Sequence, residues 1–222
     1  MADRAVIFDV DGVLLELTRA EEDAFFVPFQ QRFGLENLSR DWNSYKIRND
    51  ENIVDEILER NAIPAREKTE VIRQYLDVLQ SRLASRAIET HIVPGARELL
   101  LKLQREFHLG IATANFLAAA RLRLEDAGLW NFVSAHAAGA DGGGHKRDTV
   151  ARAIETMDVK KSRIVYVGDN LNDVEAGLSN SVAFIGFSTD AARLAELKAA
   201  GATHTSNNHV ETYGLIGHLL KR

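Results

Sequence analysis

The feature that most constrains the fold of this chain is a set of short, uninterrupted apolar runs that are rich in β-branched residues. Four such runs recur along the sequence: Ala5-Val6-Ile7-Phe8, Leu109-Gly110-Ile111-Ala112, Ile164-Val165-Tyr166-Val167 and Val182-Ala183-Phe184-Ile185. A run without polar alternation suits a strand that is buried on both faces, as in a parallel sheet covered by helices on each side. The runs therefore predict a parallel β-sheet with two covered faces.

Segments with helical periodicity lie between the later runs. The spacing of apolar residues predicts helices over 94–106, 116–127 and 148–157, with Pro94 in the first turn of the first and Gly128 just after the second. Alternating strands and helices are typical of the α/β class. We therefore expect a doubly wound, Rossmann-like core built on a parallel sheet.

The span 17–90 breaks this alternation, because it contains no convincing strand. Its apolar residues recur at helical spacing, as in the four phenylalanines from Phe25 to Phe33. Two interpretations stay open: an additional packing layer, or a mobile lid over the ligand-binding edge of the sheet. The predicted organisation is an α/β core made of 1–16 and 91–222, with 17–90 as an inserted α-helical cap domain.

Composition excludes several classes of protein and site. The chain has 222 residues, of which 45% are hydrophobic, enough for a core and an insert. A net charge of -5 gives no bulk attraction to nucleic acid or anionic membranes, and the absence of cysteine excludes disulfides and thiolate nucleophiles. The N-terminal residues match neither a signal peptide nor a membrane span, so we expect a cytoplasmic protein. Nothing in the sequence predicts the oligomeric state.

The strongest chemical signal is the pair of carboxylates that follows the first apolar run. Asp9 and Asp11 are two residues apart and can point the same way, and Gly12 follows them. The alternative interpretation is a polar turn that caps a helix. A calcium loop fits less well, because its glycine belongs at the sixth position and Gly12 is the fourth residue counted from Asp9.

A second acidic cluster follows the third apolar run. Asp169 and Asp173 come after Gly168 and are separated by one helical turn, so they can approach a common point; a helix-capping role for Asp173 stays open. Both clusters follow strands and should meet at the carboxyl edge of the sheet. Carboxylates that share a crevice repel each other unless a cation neutralises them, and oxygen ligands select a hard ion such as Mg²⁺. Charge balance therefore predicts a magnesium site.

Two further segments carry groups suited to binding a phosphate. Thr113, Ala114 and Asn115 end the second run and could offer a hydroxyl, an amide and backbone N–H groups at a helix N-terminus. Lys146 follows a glycine-rich loop, which could bring its ammonium into the site. Each segment also has an ordinary interpretation, as a helix cap or as a solvated lysine. The loop is not a Walker P-loop, because Arg147 stands where serine or threonine is required.

Taken in order, these motifs resemble the four signature motifs of the haloacid dehalogenase (HAD) superfamily, and the match runs over the whole chain. The motifs are Asp9-Val10-Asp11-Gly12, then Thr113, then Lys146, and then Gly168-Asp169 through Asp173. The helical insert after the first motif is similar to the α-helical cap of the branch that contains phosphoglycolate phosphatase and β-phosphoglucomutase. This resemblance implies a phosphohydrolase that acts on a small phosphorylated metabolite.

The resemblance also implies a role for each acid. Asp9 would be the nucleophile that forms an aspartyl-phosphate, and Asp11 would protonate the leaving oxygen and then activate water. Mg²⁺ would be held by the carboxylates of Asp9 and Asp169, by the backbone carbonyl of Asp11, and by Asp173 directly or through water. Its charge would offset the repulsion between a carboxylate and a phosphate dianion.

Lys146 and Thr113 would bind the phosphoryl oxygens, again by resemblance. Mutase relatives carry a histidine a few residues after the second aspartate, whereas Glu21 and its neighbours occupy that region here, which argues against phosphoglucomutase activity. Dehalogenases lack the second aspartate, which Asp11 supplies. A phosphomutase or phosphotransferase on the same core, and a non-catalytic module that binds a phosphate ligand, remain the alternatives.

Overall fold

A parallel β-sheet of six strands forms the centre of the computed structural model, which describes residues 3–220. The described residues contain eight strands. In chain order the strands are β1 (Ala5–Phe8), β2 (Leu15–Glu16), β3 (His91–Ile92), β4 (His108–Ala112), β5 (Ala137–Ala138), β6 (Ile164–Gly168), β7 (Ala183–Phe187) and β8 (His204–Ser206). Two of them, β2 and β3, form a separate ribbon. The sheet order is β5-β4-β1-β6-β7-β8, and every neighbouring pair is parallel. The predicted α/β class is confirmed, and each of the four apolar runs forms a strand of this sheet, except that Val182 lies just before β7.

The sheet is buried on both faces, as its unalternating strands predict. In β1, Val6 and Phe8 belong to one hydrophobic cluster, while Ala5 and Ile7 belong to a second cluster on the opposite face. All four side chains are fully buried. Helices cover each face, so the core has three layers and its strands end in loops at a common edge.

The described residues form ten α-helices, of which the first three belong to the segment 17–90. They are α1 (Arg19–Phe33), α2 (Asp50–Arg60), α3 (Lys68–Ala84), α4 (Ala96–Leu103), α5 (Leu117–Asp126), α6 (Trp130–Val133), α7 (Lys146–Glu155), α8 (Leu171–Ser179), α9 (Ala191–Ala199) and α10 (His209–Leu219). Across residues 3–220, none of these helices combines the length and the apolar character needed to cross a bilayer.

Two helix starts differ from the sequence prediction. Helix α4 begins at Ala96, so Pro94 lies before the helix instead of in its first turn; Gly95, with φ of 84°, supplies the N-cap in a conformation that favours glycine. Helix α7 begins two residues earlier than predicted, because His145 is its N-cap residue and the Asp148 carboxylate accepts a hydrogen bond from the His145 backbone N–H.

The segment 17–90, called the helical segment below, contains α1, α2 and α3 and has its own hydrophobic cluster. Phe25, Phe26 and Phe29 lie in this cluster, as their helical spacing predicts. Phe116, at the start of α5, also belongs to it and packs against Tyr75 with 6.4 Å between ring centroids. The helical segment is therefore packed directly against the core helix that follows β4.

The chain enters and leaves the helical segment through a short antiparallel ribbon. Strands β2 and β3 pair apart from the main sheet, with Leu15 opposite Ile92 and Glu16 opposite His91. The ribbon fixes both ends of the helical segment at one place beside the carboxyl edge of β1. That the helical segment is a cap domain distinct from the core stays a prediction.

Candidate active site

Three neighbouring strands of the sheet end at the candidate site. Asp9 follows β1, Thr113 follows β4 and Asp169 follows β6, and β1 lies between the other two strands. The ladder continues just past the strand ends, since the Asp9 backbone N–H donates to the Val167 carbonyl at 2.8 Å. Residues that are far apart in the sequence are thereby held at one edge of a rigid sheet.

The two acidic clusters meet at this edge. Carboxylate oxygens of Asp9, Asp169 and Asp173 lie within 4.8 Å of one another. All three residues offer oxygen ligands, which is the donor type that Mg²⁺ prefers. The structure thus brings together three of the four residues that the sequence analysis assigns to the metal, and Asp11 lies in the same cavity.

Gly12 is required for this meeting of the first and last motifs. Its φ of 74° lies in the region that favours glycine, and its N–H donates to the Leu15 carbonyl at 2.8 Å to close the turn. A Cβ atom at this position would lie 2.3 Å from Oδ2 of Asp169, well inside van der Waals contact. Only a residue without a side chain lets the first loop approach the second acidic cluster.

Asp173 caps α8, and its side chain also belongs to the acidic cluster. One carboxylate oxygen, Oδ2, accepts hydrogen bonds from the backbone N–H groups of Asn170 at 3.0 Å and Asp169 at 3.2 Å, as a cap of α8. The other, Oδ1, accepts from the Tyr166 hydroxyl at 2.5 Å and lies 3.0 Å from Nζ of Lys146. Capping therefore holds the side chain in place, with Oδ1 directed to the site.

Lys146 is a buried cation between two carboxylates. Its Nζ lies 2.8 Å from Oδ1 of Asp9 and 3.0 Å from Oδ1 of Asp173, and its side chain is only 4% exposed. The pKa of Lys146 is raised despite its burial, because the charges of Asp173 and Asp9 stabilise the ammonium. The glycine-rich loop leads to this position, but Lys146 is the first residue of α7, so the helix fixes it.

The pKa values of Asp9 and Asp169 are raised first by burial and then by the neighbouring carboxylates. Burial raises the pKa of Asp9 well above its ordinary value, and the charges of Asp173 and Asp169 add to this effect while Lys146 opposes it. Burial and Asp173 likewise raise the pKa of Asp169 to about 7, against the effects of Lys146 and Arg48. One lysine does not balance three carboxylates, so the donor set fits a divalent cation.

The two oxygens of Asp9 have different surroundings. Oδ1 accepts a hydrogen bond from the Val10 backbone N–H at 2.7 Å and pairs with Lys146. Within residues 3–220, Oδ2 takes part in no hydrogen bond or ion pair. Asp9 also lines the cavity described below. The arrangement holds one oxygen of the carboxylate and leaves the other available for chemistry.

The predicted phosphate-binding residues after β4 are arranged unevenly. Ala114 and Asn115 line the cavity, whereas Thr113 is 1% exposed and is not part of the lining. The Thr113 hydroxyl oxygen accepts from the Asn115 backbone N–H at 3.2 Å, which leaves the hydroxyl proton to donate. Nη1 of Arg123 donates to Oδ1 of Asn115 at 3.3 Å, so the Asn115 amide N–H groups remain available.

A cavity of about 260 Å³ extends from these groups to the helical segment. Its floor carries Asp9, Asp11, Asp169 and Lys146. Its roof carries aromatic and apolar side chains together with four charged residues, Glu21, Glu22, Arg48 and Asp50. The aromatic and apolar residues of the roof are Leu17, Phe25, Trp42, Ile53 and Tyr75. The cavity is therefore formed jointly by the core and the helical segment, and both contribute charged side chains to its lining.

Two residues of the helical segment that the sequence analysis did not select hold it against the core. Oδ2 of Asp50 accepts from the Phe116 backbone N–H at 2.8 Å, and the Asp50 N–H donates to the Ala114 carbonyl at 2.9 Å. The Asn49 amide donates to the Gly144 carbonyl at 2.6 Å. The N-terminus of α2 thus touches both loops that carry predicted phosphate-binding residues. A sequence signal existed only for Asn49, as a helix N-cap type.

Two buried charges beside Asp11 were also missed. Nη1 of Arg123 lies 2.7 Å from Oδ1 of Asp11, and its Nε donates to Oε1 of Glu21 at 2.6 Å. Glu21 could be recognised as a capping-box residue, three positions after Thr18. Arg123 gives no such signal, because it is one of two arginines in the same helix.

Comparison with known proteins gives consistent matches over nearly the whole chain. A curated relative, "probable phosphatase IndB" of Dickeya dadantii (strain 3937), is 27% identical over 229 residues and covers 97% of this chain and 94% of that protein. The structure of CbbY from Rhodobacter sphaeroides in complex with phosphate is 21% identical, with a TM-score of 0.76 over 95% of this chain and 96% of that one. A "predicted phosphatase" from Clostridium acetobutylicum is 23% identical, with a TM-score of 0.73 over 98% and 100%.

The family assignment depends on a match to the chain itself. The family model of the haloacid dehalogenase-like hydrolases matches residues 4–179, which contain every residue assigned to the site above. Structural matches of this low identity establish the fold, and the family match adds the class of enzyme. This chain belongs to the haloacid dehalogenase-like hydrolases.

Proposed function

We propose that this protein is a Mg²⁺-dependent phosphatase that hydrolyses a small phosphorylated metabolite through an aspartyl-phosphate on Asp9. One observation carries the proposal: Asp9, Asp169 and Asp173 converge beside the buried Lys146, while Oδ2 of Asp9 has no partner within the described residues. A carboxylate that is held by one oxygen and free at the other is suited to nucleophilic attack.

In the first step, Oδ2 of Asp9 attacks phosphorus and the bond between phosphorus and the leaving oxygen breaks. Asp11 donates a proton to that leaving oxygen, so the product departs as an alcohol. Asp11 lines the same cavity and its side chain is 24% exposed, which gives it access to a bound substrate. In the second step, Asp11 accepts a proton from water as the water attacks phosphorus, and the Asp9 carboxylate is released with inorganic phosphate.

The remaining charges would stabilise the phosphoryl group. Asp9, Asp169, Asp173 and the backbone carbonyl of Asp11 would hold Mg²⁺, which fits the excess of negative charge at these carboxylates. When bound, the ion offsets the repulsion between the carboxylate and the phosphate. Lys146, the Thr113 hydroxyl and the N–H groups of Ala114 and Asn115 would donate to the phosphoryl oxygens.

The size and lining of the cavity support a small substrate. A space of about 260 Å³ matches the size of a small metabolite. Among the similar structures, CbbY is described with phosphate and with xylulose-(1,5)bisphosphate. We propose that the helical segment acts as a cap that selects the leaving group, because it forms the roof of the cavity.

The test is phosphate release from a panel of phosphorylated metabolites, with Mg²⁺ or with a chelator. Wild-type protein should release phosphate only with the metal, and Asp9→Asn should abolish release while the circular dichroism spectrum stays unchanged. Asp77→Asn is the matched control, since this exposed acid of α3 makes only a surface ion pair with Arg73. Wild-type activity in the Asp9 variant would remove the nucleophile assignment.

The products separate this proposal from its alternatives. In ¹⁸O-labelled water, a phosphatase of this mechanism places one labelled oxygen in the released phosphate at every turnover, because water attacks phosphorus. A phosphomutase would instead return an isomerised sugar phosphate without net release. A non-catalytic module would bind phosphate but release none from any substrate, with or without Mg²⁺.

A further inference from the structure

A second buried cation lies beside the cavity, on a helix that carries none of the predicted site residues. Arg123 belongs to α5, and its side chain is only 3% exposed. Nη1 of its guanidinium donates to Oδ1 of Asn115, and the guanidinium also contacts three groups near the point where the chain enters the helical segment. Nη1 lies 2.7 Å from Oδ1 of Asp11, Nε lies 2.6 Å from Oε1 of Glu21, and Nη2 donates to the Glu16 carbonyl at 3.3 Å.

Glu21 is itself fixed on its other side. Its Oε2 accepts hydrogen bonds from the backbone N–H and the hydroxyl of Thr18, each at 2.7 Å, in the capping box of α1. The Glu21 side chain is 2% exposed, so both of its oxygens are used in buried contacts. Arg123 is therefore bound to the first turn of α1 through Glu21, and it contacts Asp11 with a different nitrogen of the same guanidinium.

Asp11 has few other constraints. Its Oδ1 is buried and accepts no well-aligned hydrogen bond from residues 3–220, and Arg123 is the one ion-pair partner that these residues give it. An ion pair without an aligned hydrogen bond holds a carboxyl in place and still permits it to turn. A general acid needs this combination, because its oxygen must be near the leaving oxygen at the moment when the bond breaks.

We propose that Arg123 is a positioning residue, which holds the Asp11 carboxyl for proton transfer and connects it through Glu21 to the first helix of the helical segment. The inference rests on the proposed function, since it assigns to Asp11 the proton that the leaving group needs. Arg123 acts through Asp11, and no contact of Arg123 with the phosphoryl group is required. The arrangement couples the acid to the entry of the helical segment.

The experiment measures kcat/KM for aryl phosphates that differ in the acidity of the leaving phenol, in wild type and in Arg123→Met. The ratio kcat/KM reports the steps up to departure of the phenol, in which Asp11 acts as the acid. A misplaced acid harms poor leaving groups most, because nitrophenolate departs without a proton. We expect kcat/KM of Arg123→Met to fall about 100-fold or more for phenyl phosphate, within the range of general acid catalysis, and far less for nitrophenyl phosphate.

Arg121→Met is the matched control, because Arg121 lies on the same helix, is 58% exposed, and contacts Glu125 and the ring of Trp130, neither of which belongs to the site. If Arg123→Met does not fold, Arg123→Lys and Glu21→Gln, which keep similar shapes, carry the same test, and each should show a steeper dependence on the leaving group than wild type. An equal loss for all phenols, or no loss, would overturn the inference. Failure of wild type to release phosphate from any substrate would instead refute the proposed function.

Discussion

Replacing Asp50 with asparagine should remove a pH dependence of stability that the burial of this carboxyl creates. Burial raises the pKa of Asp50 from 3.8 to about 7, against the hydrogen bond from the Phe116 backbone N–H, which favours the ionised form. A carboxyl whose pKa is raised on folding stabilises the folded state when it is protonated. That stabilisation is complete below the unfolded pKa and is lost as the pH rises to the folded pKa near 7.

The magnitude follows from the size of the shift. A rise of about three pKa units corresponds to about 4 kcal/mol, of which about 3 kcal/mol is lost between pH 5 and pH 8. Asparagine has nearly the same shape as aspartate, and its amide oxygen can accept the hydrogen bond from Phe116 without carrying charge. The free energy of unfolding should therefore fall by about 3 kcal/mol less in Asp50→Asn than in wild type over this range.

The assay is denaturant-induced unfolding of both proteins at pH 5 and pH 8, with a chelator present so that metal binding does not contribute. Other titrating acids, such as Asp9 and Asp169, act in both proteins and cancel in the comparison. Asp55→Asn on the same helix is the control, because Asp55 makes an exposed ion pair with Lys68. An identical pH dependence in wild type and in Asp50→Asn would refute the reasoning.

Two further outcomes test the cation site and the turn beside it. Millimolar Mg²⁺ should raise the melting temperature of wild type, because a ligand that binds only the folded state stabilises it, and Asp169→Asn should reduce the shift; no shift in wild type would contradict the site. Gly12→Ala should lower the free energy of unfolding by about 1 kcal/mol or more, because φ is positive at this position and the new Cβ would approach Asp169. The same change should lower phosphate release with Mg²⁺. A variant as stable and active as wild type would contradict the role given to this glycine.

The central strands could be predicted because their burial on both faces leaves a direct mark in the sequence. The run Ile164-Val165-Tyr166-Val167 lies in β6, next to β1 in the middle of the sheet. The edge strand β8, His204–Ser206, contains polar residues and has only one neighbouring strand, so no apolar run indicates it. The ribbon β2–β3 was also missed, since its two-residue strands are stabilised by the meeting of distant segments.

The acids of the site could be predicted for a related reason, since strand ends of a parallel sheet converge. The contacts of Arg123 could not, because they depend on tertiary packing. Arg121 and Arg123 stand two positions apart in the same helix, yet one is 58% exposed and the other is buried against two carboxylates. Composition and spacing do not distinguish these two arginines. They differ in the direction of their side chains, which only the folded structure shows.

The ribbon of β2 and β3 has a consequence for how such proteins diversify. Because Leu15 is opposite Ile92 and Glu16 is opposite His91, the chain departs from and returns to the core at almost the same point. An insertion with adjacent ends can be lengthened, shortened or exchanged during evolution without moving any strand of the sheet. If the helical segment selects the leaving group as proposed, selection can change which compounds are recognised while the reacting groups stay where they are.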